Sequence, residues 1–312
     1  MVRCNHGARR ASAPPMIVTA TPRYTRIVAE VWRPLAVLFI WDVAVTITYF
    51  ALPFRAPSLP LTLFGSALAL FLGFRDNSAY QRWWEGRVLW GAMINASRTL
   101  TREVIAFLPY ARDGELWEFK RTIVRRQVAY VHALRCRLRR QDPTEDVLRF
   151  LSPAEAGRPL ARSNPPNGIL DGTAGRLAKA QRQGWIDTVQ QAQLERTLTD
   201  IANAQGGMER LKNTPLPNQY RFFPTLFTHL FCVLLPIGLV ETLGWATPLG
   251  STIAGLMFLA VLQIGEDLTD PFANTVHDVP LSAMCRTIEI DLLEAIGDAP
   301  PPPLHPDRDV LW

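Results

Sequence analysis

The stretch SLPLTLFGSALALFLGF, Ser58 to Phe74, and the RDNSAYQRWWEGRVLWGAM that follows it to Met93 decide the reading of this chain. The first part carries no charge. Its 17 residues make about 26 Å of helix, a little under a ~30 Å hydrocarbon core. The second part holds helix formers and meets no proline before Pro109. One helix is therefore expected to cross an apolar layer and run on into headgroups or water. Gly65, Ala69 and Gly73 stand four apart, a small-residue face on which helices approach closely in a bilayer. Offset by one residue, Ser66, Leu70 and Phe74 form a second file on the same helix. If several copies packed through the small face, that file would border a shared axis, and its Leu and Phe would make an apolar constriction. Ordinary lipid-facing filling is the plainer account of the same residues.

Three further apolar runs surround this one. They are PLAVLFIWDVAVTITYFALPF (34–54), FFPTLFTHLFCVLLPIGLVETLGW (222–245) and TPLGSTIAGLMFLAVLQI (247–264). Each falls near the ~17–25 residues that a spanning helix needs. Between the first two runs only Arg55 is basic, and between the last two there is no Lys or Arg. Arg23, Arg26, Arg33, Arg75, Arg82 and Arg221 flank the other ends, so both termini and the long middle segment are expected inside. That implies a multi-pass membrane protein with an even number of spans. The domain plan is a loose basic tail at 1–22, one body at 23–298 and a Pro-rich tail at 299–312. The body holds four spans and a cytosolic helical part (75–221 and 265–298), all-α throughout.

The middle segment reads as helices at Arg75–Leu108, Glu115–Arg140 and Gln183–Lys212, the last interrupted at Gly206-Gly207. Residues 152–174, with SNPPNG, read as a loop. The stripe Leu116, Ile123, Val128, Val131 and Leu134 gives the second helix an apolar face. Trp83, Trp84 and Trp90 are expected at the membrane–water boundary. Asp42 lies inside the first span, as an ion-path or proton-linked group or as a carboxyl that is paired with a neighbouring helix or protonated. His229 and Glu241 are expected near opposite ends of the third run rather than as a buried pair.

The sequence speaks against several function classes. A charge of +5 without a basic patch interleaved with aromatics argues against nucleic acid. Cys4, Cys136, Cys232 and Cys285 are scattered, with neither metal nor disulfide spacing. No nucleophile elbow, P-loop or HExxH motif points to an enzyme. The paired runs do not repeat each other, as a secondary transporter would lead one to expect.

Three segments carry a family resemblance: FLGFRDNSAYQRWWEGRVLWGAMINASR (71–98), LKNTPLPNQY (211–220) and GEDLTDPFANTVHDVPLSAMCRTIEIDLLE (265–294). They resemble the bacterial bestrophin homologues, in the right order and over nearly the whole chain from residue 23, and the final DRDVLW resembles their short tail. The resemblance implies a homopentameric channel in the lipid membrane, with four spans per subunit and one axial pore for monovalent ions. Animal members are calcium-activated chloride channels, while a cation-selective bacterial member is known, so chloride is favoured over sodium. The family's neck residues fall on Ser66, Leu70 and Phe74, and Ser66 departs from their apolar character. A lower constriction falls on Val189, with Ile186 as the alternative. The acids Glu266, Asp267, Asp270 and Asp278 lie where animal members hold calcium. Here ANTVH replaces the dense acidic run, so helix capping and pairing with Arg82, Arg87 or Arg286 is the preferred role, and no cofactor is expected.

Overall fold

The structure is a computed structural model that describes residues 24–52, 57–111, 113–306 and 311. The expected basic tail, Cys4, His6, Arg23, Arg55 and most of the DRDVLW ending lie outside the described residues, as does the side chain of Arg26. Among the described residues every regular element is helical. The chain divides into two compact units.

The apolar unit holds residues 22–91 and 204–279. It contains α1 (Tyr24–Ala51), the first part of α2 (Leu61–Phe107), the last part of α7 (Thr188–Asn213), α8 (Asn218–Leu243) and α9 (Thr247–Asp267). Two stretches are long and apolar enough to cross a membrane, Val31–Ala51 and Asn218–Asp267, the second of which holds both α8 and α9. The run 58–74 becomes helical only at Leu61, where the Pro60 carbonyl accepts the first helical bonds from Leu63 and Phe64. Leu61 to Phe74 then gives about 21 Å of uncharged helix before Arg75. The same helix continues without a break to Phe107, as the absence of proline predicts. Between α8 and α9 a single 3-10 turn, Gly244–Ala246, reverses the chain. Gly244 takes φ +53° there, a left-handed setting that glycine adopts without penalty. Trp245 closes the turn by stacking on Phe50 of α1, ring centroids 4.4 Å apart.

The second unit holds residues 92–203 and 280–306. It contains the rest of α2, α3 (Gly114–Leu138), α4 (Thr144–Leu148), α5 (Pro153–Leu160), α6 (Pro165–Arg182), the first part of α7, and α10 (Leu281–Ala295). The expected stripe holds: Ile123, Val128, Val131 and Leu134 are all buried on α3. Lys120 reaches back from α3 to cap the end of α2, donating from Nζ to the Ile105 and Leu108 carbonyls at 3.1 Å each. Two expectations are corrected. Residues 152–174 are not a loop but α5 and the start of α6. Asn164 caps the Asn167 amide, and Pro165-Pro166 occupy the first helical turn, where a missing N–H costs nothing. Gly206-Gly207 does not interrupt α7. A Cβ on Gly207 would sit 2.8 Å from the Leu89 side chain of α2, so glycine is placed there for close approach.

Buried charge in the second unit is paired, though His132 Nδ1 stays without a hydrogen bond among the described residues. Arg126 donates to the Thr173 hydroxyl and the Ile169 carbonyl at 3.1 and 2.8 Å. Its burial, with Arg176 nearby, lowers the guanidinium to about 10. Glu289 of α10 collects His132, Arg149 and Arg286 at 3.1, 3.0 and 3.2 Å. Burial alone would raise Glu289, yet the His132 hydrogen bond and the two guanidiniums bring it below the ordinary carboxylate value.

Candidate functional site

The site is built on the apolar part of α2. Leu68 and Leu72 are buried against Phe231 and Leu235 of α8. Gly65 admits the Phe231 ring, and Phe71 meets Phe227. One side of the helix is thereby committed to packing. The other side carries Ser66, Leu70 and Phe74, all exposed, with Leu70 at 62% and Phe74 at 60%. Two large apolar side chains that exposed need lipid, another copy or an apolar conduit beside them.

Directly below Phe74 the chain turns its charge inward. Arg75 is 2% exposed and donates to the Leu262 carbonyl and to Glu266 of α9 at 2.9 and 2.7 Å. Glu266 also holds Arg221 at 3.0 Å, which ties the start of α8 to the same point. A Cβ on Gly265 would overlap the Asp76 carboxylate and the Arg75 guanidinium, so only glycine lets α9 approach α2 this closely. Two turns on, Arg82 donates to three carbonyls, those of Leu211, Thr214 and Thr269. Trp83 donates its indole N–H to the His277 carbonyl. The segments that resemble the family are thus the ones that this face of α2 binds together. Sequence reading used Arg75 only as a marker of orientation, and Arg82 as such a marker and as a pairing partner for the acids. Their placement just after an uncharged run was the available sign that they serve the packing.

The four acids do not converge. Asp267 faces the Gln263 amide at 2.8 Å and His277 at 3.6 Å. Asp270 holds Lys212 at 2.7 Å and accepts from the Phe272 amide. Asp278 accepts from the Thr275 amide and hydroxyl at 2.9 and 2.7 Å, and burial raises its carboxyl despite these bonds. Among the described residues no three His, Cys, Asp or Glu side chains gather in a way that would hold a metal ion. The acids do cap and pair as preferred, but chiefly with Arg75, Arg221 and Lys212. Arg286 instead serves Glu289 in the second unit.

Asp42 is 1% exposed and accepts from the Ser251 and Thr252 hydroxyls of α9, each at 3.1 Å. Between its two readings, the structure places it as a carboxyl paired with a neighbouring helix. His229 and Glu241 are both exposed, and His229 bonds the Thr225 carbonyl of its own helix. Trp90 departs from expectation, since it is fully buried and cannot serve a boundary, while Trp84 is exposed.

In the second unit, Val189 and Ile186 stand at the entry to α7. Asp187 and Gln190 cap each other's amides at 2.7 and 3.0 Å, a reciprocal box that fixes the helix start. Val189, inside that first turn, is 76% exposed, whereas Ile186 is buried at 4%. Of the two, Val189 alone presents its side chain outward. Glu103 of α2 anchors the next turns, accepting from Gln193 and Thr197.

Comparison with known proteins agrees with this layout. A family model described as bacterial/fungal bestrophin protein matches residues 9–294. The voltage-dependent anion channel-forming protein YneE of Escherichia coli is 35% identical over 286 residues, covering 90% of this chain and 92% of its own. A voltage-dependent anion channel-forming protein of Mesorhizobium japonicum is 36% identical over 250 residues, covering 80% and 78%. The crystal structure of a bacterial bestrophin homologue from Klebsiella pneumoniae superposes with a TM-score of 0.80 at 34% identity, covering 85% of this chain and 98% of that one. By sequence along most of its length and by the fold of its helices, this chain is a member of the bacterial/fungal bestrophin family.

Proposed function

We infer that the chain is one subunit of a passive anion channel, a homopentamer whose axial pore is bordered by Ser66, Leu70 and Phe74, with Val189 at a second constriction. One observation carries the reading: Leu70 and Phe74 are exposed on a helix whose opposite face is already packed. The names of the relatives supply the ion sign. Around a fivefold axis the two residues make stacked apolar rings, through which an ion passes only by shedding part of its hydration. Ser66 wets the outer end. In this reading α1, the first part of α2, α8 and α9 cross the bacterial inner membrane, with both termini in the cytoplasm. The acids Glu266, Asp267, Asp270 and Asp278 anchor helices rather than hold calcium, since each has partners of its own.

The test is reconstitution of the full chain in planar bilayers. Leu70→Ala with Phe74→Ala widens and wets the neck and is expected to raise unitary conductance. Reversal potentials under a sodium chloride gradient are expected to follow chloride. Absence of current in both parent and variant overturns the channel reading, and a reversal toward sodium replaces the anion by a monovalent cation.

A further inference from the structure

The exposed file on α2 does not end at Phe74. With about 100° per residue and Ser66 at zero, Leu70 lies near 40°, Phe74 near 80°, Asn77 near 20° and Gln81 near 60°. Asn77 and Gln81 thus fall inside the arc of the neck residues, about 4.5 and 10 Å further along the axis than Phe74. Both are exposed. On the same scale Arg75 lies near 180°, on the packed side, where it bonds α9.

The hydrogen bonding separates these two residues from the donors Arg75, Ser78, Arg82 and Trp83. Over the same turns each of those donors has a partner within the chain. The side chains of Asn77 and Gln81 make no hydrogen bond to another described residue. A carboxamide is a poor choice for a face turned to lipid, where its donors and acceptor would stay empty. It suits a face where water or a partly dehydrated ion is present. Its NH2 serves an anion and its carbonyl a cation.

We propose that Asn77 and Gln81 form the polar exit of the neck, two rings of carboxamides that replace the hydration an ion gives up beside Leu70 and Phe74. The apolar constriction is then bracketed, with Ser66 before it and Asn77 after it, and only two apolar rings need to dewet. Asn77, the nearer, is the stronger determinant of throughput. This rests on the reading that the Ser66–Leu70–Phe74 file faces the pore axis.

The experiment compares the reconstituted full chain with Asn77→Leu, Gln81→Leu and Asn77→Asp, and uses Leu70→Ala to report on the underlying reading. Asn77→Leu adds a third apolar ring and is expected to lower unitary conductance about 2–10-fold, the scale of one net hydrogen bond. Gln81→Leu is expected to act in the same direction and less. Asn77→Asp places a ring of carboxylates at the exit and is expected to raise the cation-to-anion permeability ratio about tenfold, a change that altered packing does not produce. If Leu70→Ala changes conductance while Asn77→Leu and Asn77→Asp behave as the parent, the exit proposal fails alone. If Leu70→Ala is silent as well, the axis-facing reading fails and takes the exit with it. If Asn77→Leu runs as a monomer on size-exclusion chromatography, Asn77 is an interface residue and the proposal is overturned.

Discussion

Replacing Glu289 by alanine tests whether the buried cluster of α10 holds the second unit together. Glu289 is 1% exposed and faces His132, Arg149 and Arg286. Removing one partner of a buried pair costs ~3–5 kcal/mol, because the remaining charge stays out of water. The three partners do not contribute equally. The Arg149 side chain is 45% exposed and rehydrates once released. Arg286, at 19%, and His132, at 2%, do not. The lower end, about 3 kcal/mol, is therefore the figure to expect. For domains of 150–250 residues each kcal/mol moves Tm by ~2–4 °C, so a drop of about 6 °C follows for this longer chain. Glu289→Gln keeps an acceptor for His132 but loses the charge, and should fall between parent and Glu289→Ala. The assay is a thermal scan of the detergent-solubilised full chain by near-UV circular dichroism at one fixed rate, with the exposed Glu145→Ala as control. A shift under about 1 °C for Glu289→Ala, no larger than the control, would refute the reasoning that Arg286 and His132 depend on this carboxylate.

Two other outcomes follow from the same geometry. The folded-state value of Glu289 lies below its ordinary 4.5, so its stabilisation is complete above about pH 4.5 and fades as pH falls through the folded value; thermal scans between pH 7 and pH 3 should show an acid loss that Glu289→Gln shows less. Gly265→Ala forces α9 away from the Asp76 and Arg75 side chains of α2, a small-to-large change that costs ~1–3 kcal/mol, and should lower Tm and disturb conductance together.

Much of the apolar unit was legible in the sequence, because lipid-spanning helices announce themselves by long uncharged runs. The extension of the second run into a 47-residue helix was legible too, since nothing between Arg75 and Pro109 breaks a helix. What misled was local chemistry read without its partner. Asn164-Pro165-Pro166 looks like a turn, and is the capped start of α6. Gly206-Gly207 looks like a break, and is a point of contact with Leu89. Trp90 belongs to the same aromatic stretch as Trp83 and Trp84, but it stands almost two helical turns further along α2 and is fully buried there. In the candidate site, spacing alone puts Leu70 and Phe74 in one file of α2, and both are exposed there. The partners of the four acids could not, because Lys212 and Arg221 are brought to them from distant parts of the chain.

The inward turn of Arg75 changes how the chain's charge should be understood. A cation sits next to Phe74, yet its field is answered by Glu266 inside the protein. In the proposed channel, counting basic residues near Phe74 is therefore a poor guide to which ions pass. An Arg75→Ala variant with altered currents would report a helix pair coming apart, with Glu266 left to Arg221 alone, and not the removal of an ion's binding partner. Tuning such a conduit by charge calls for adding residues to its wet face, while the buried arginine belongs to the frame.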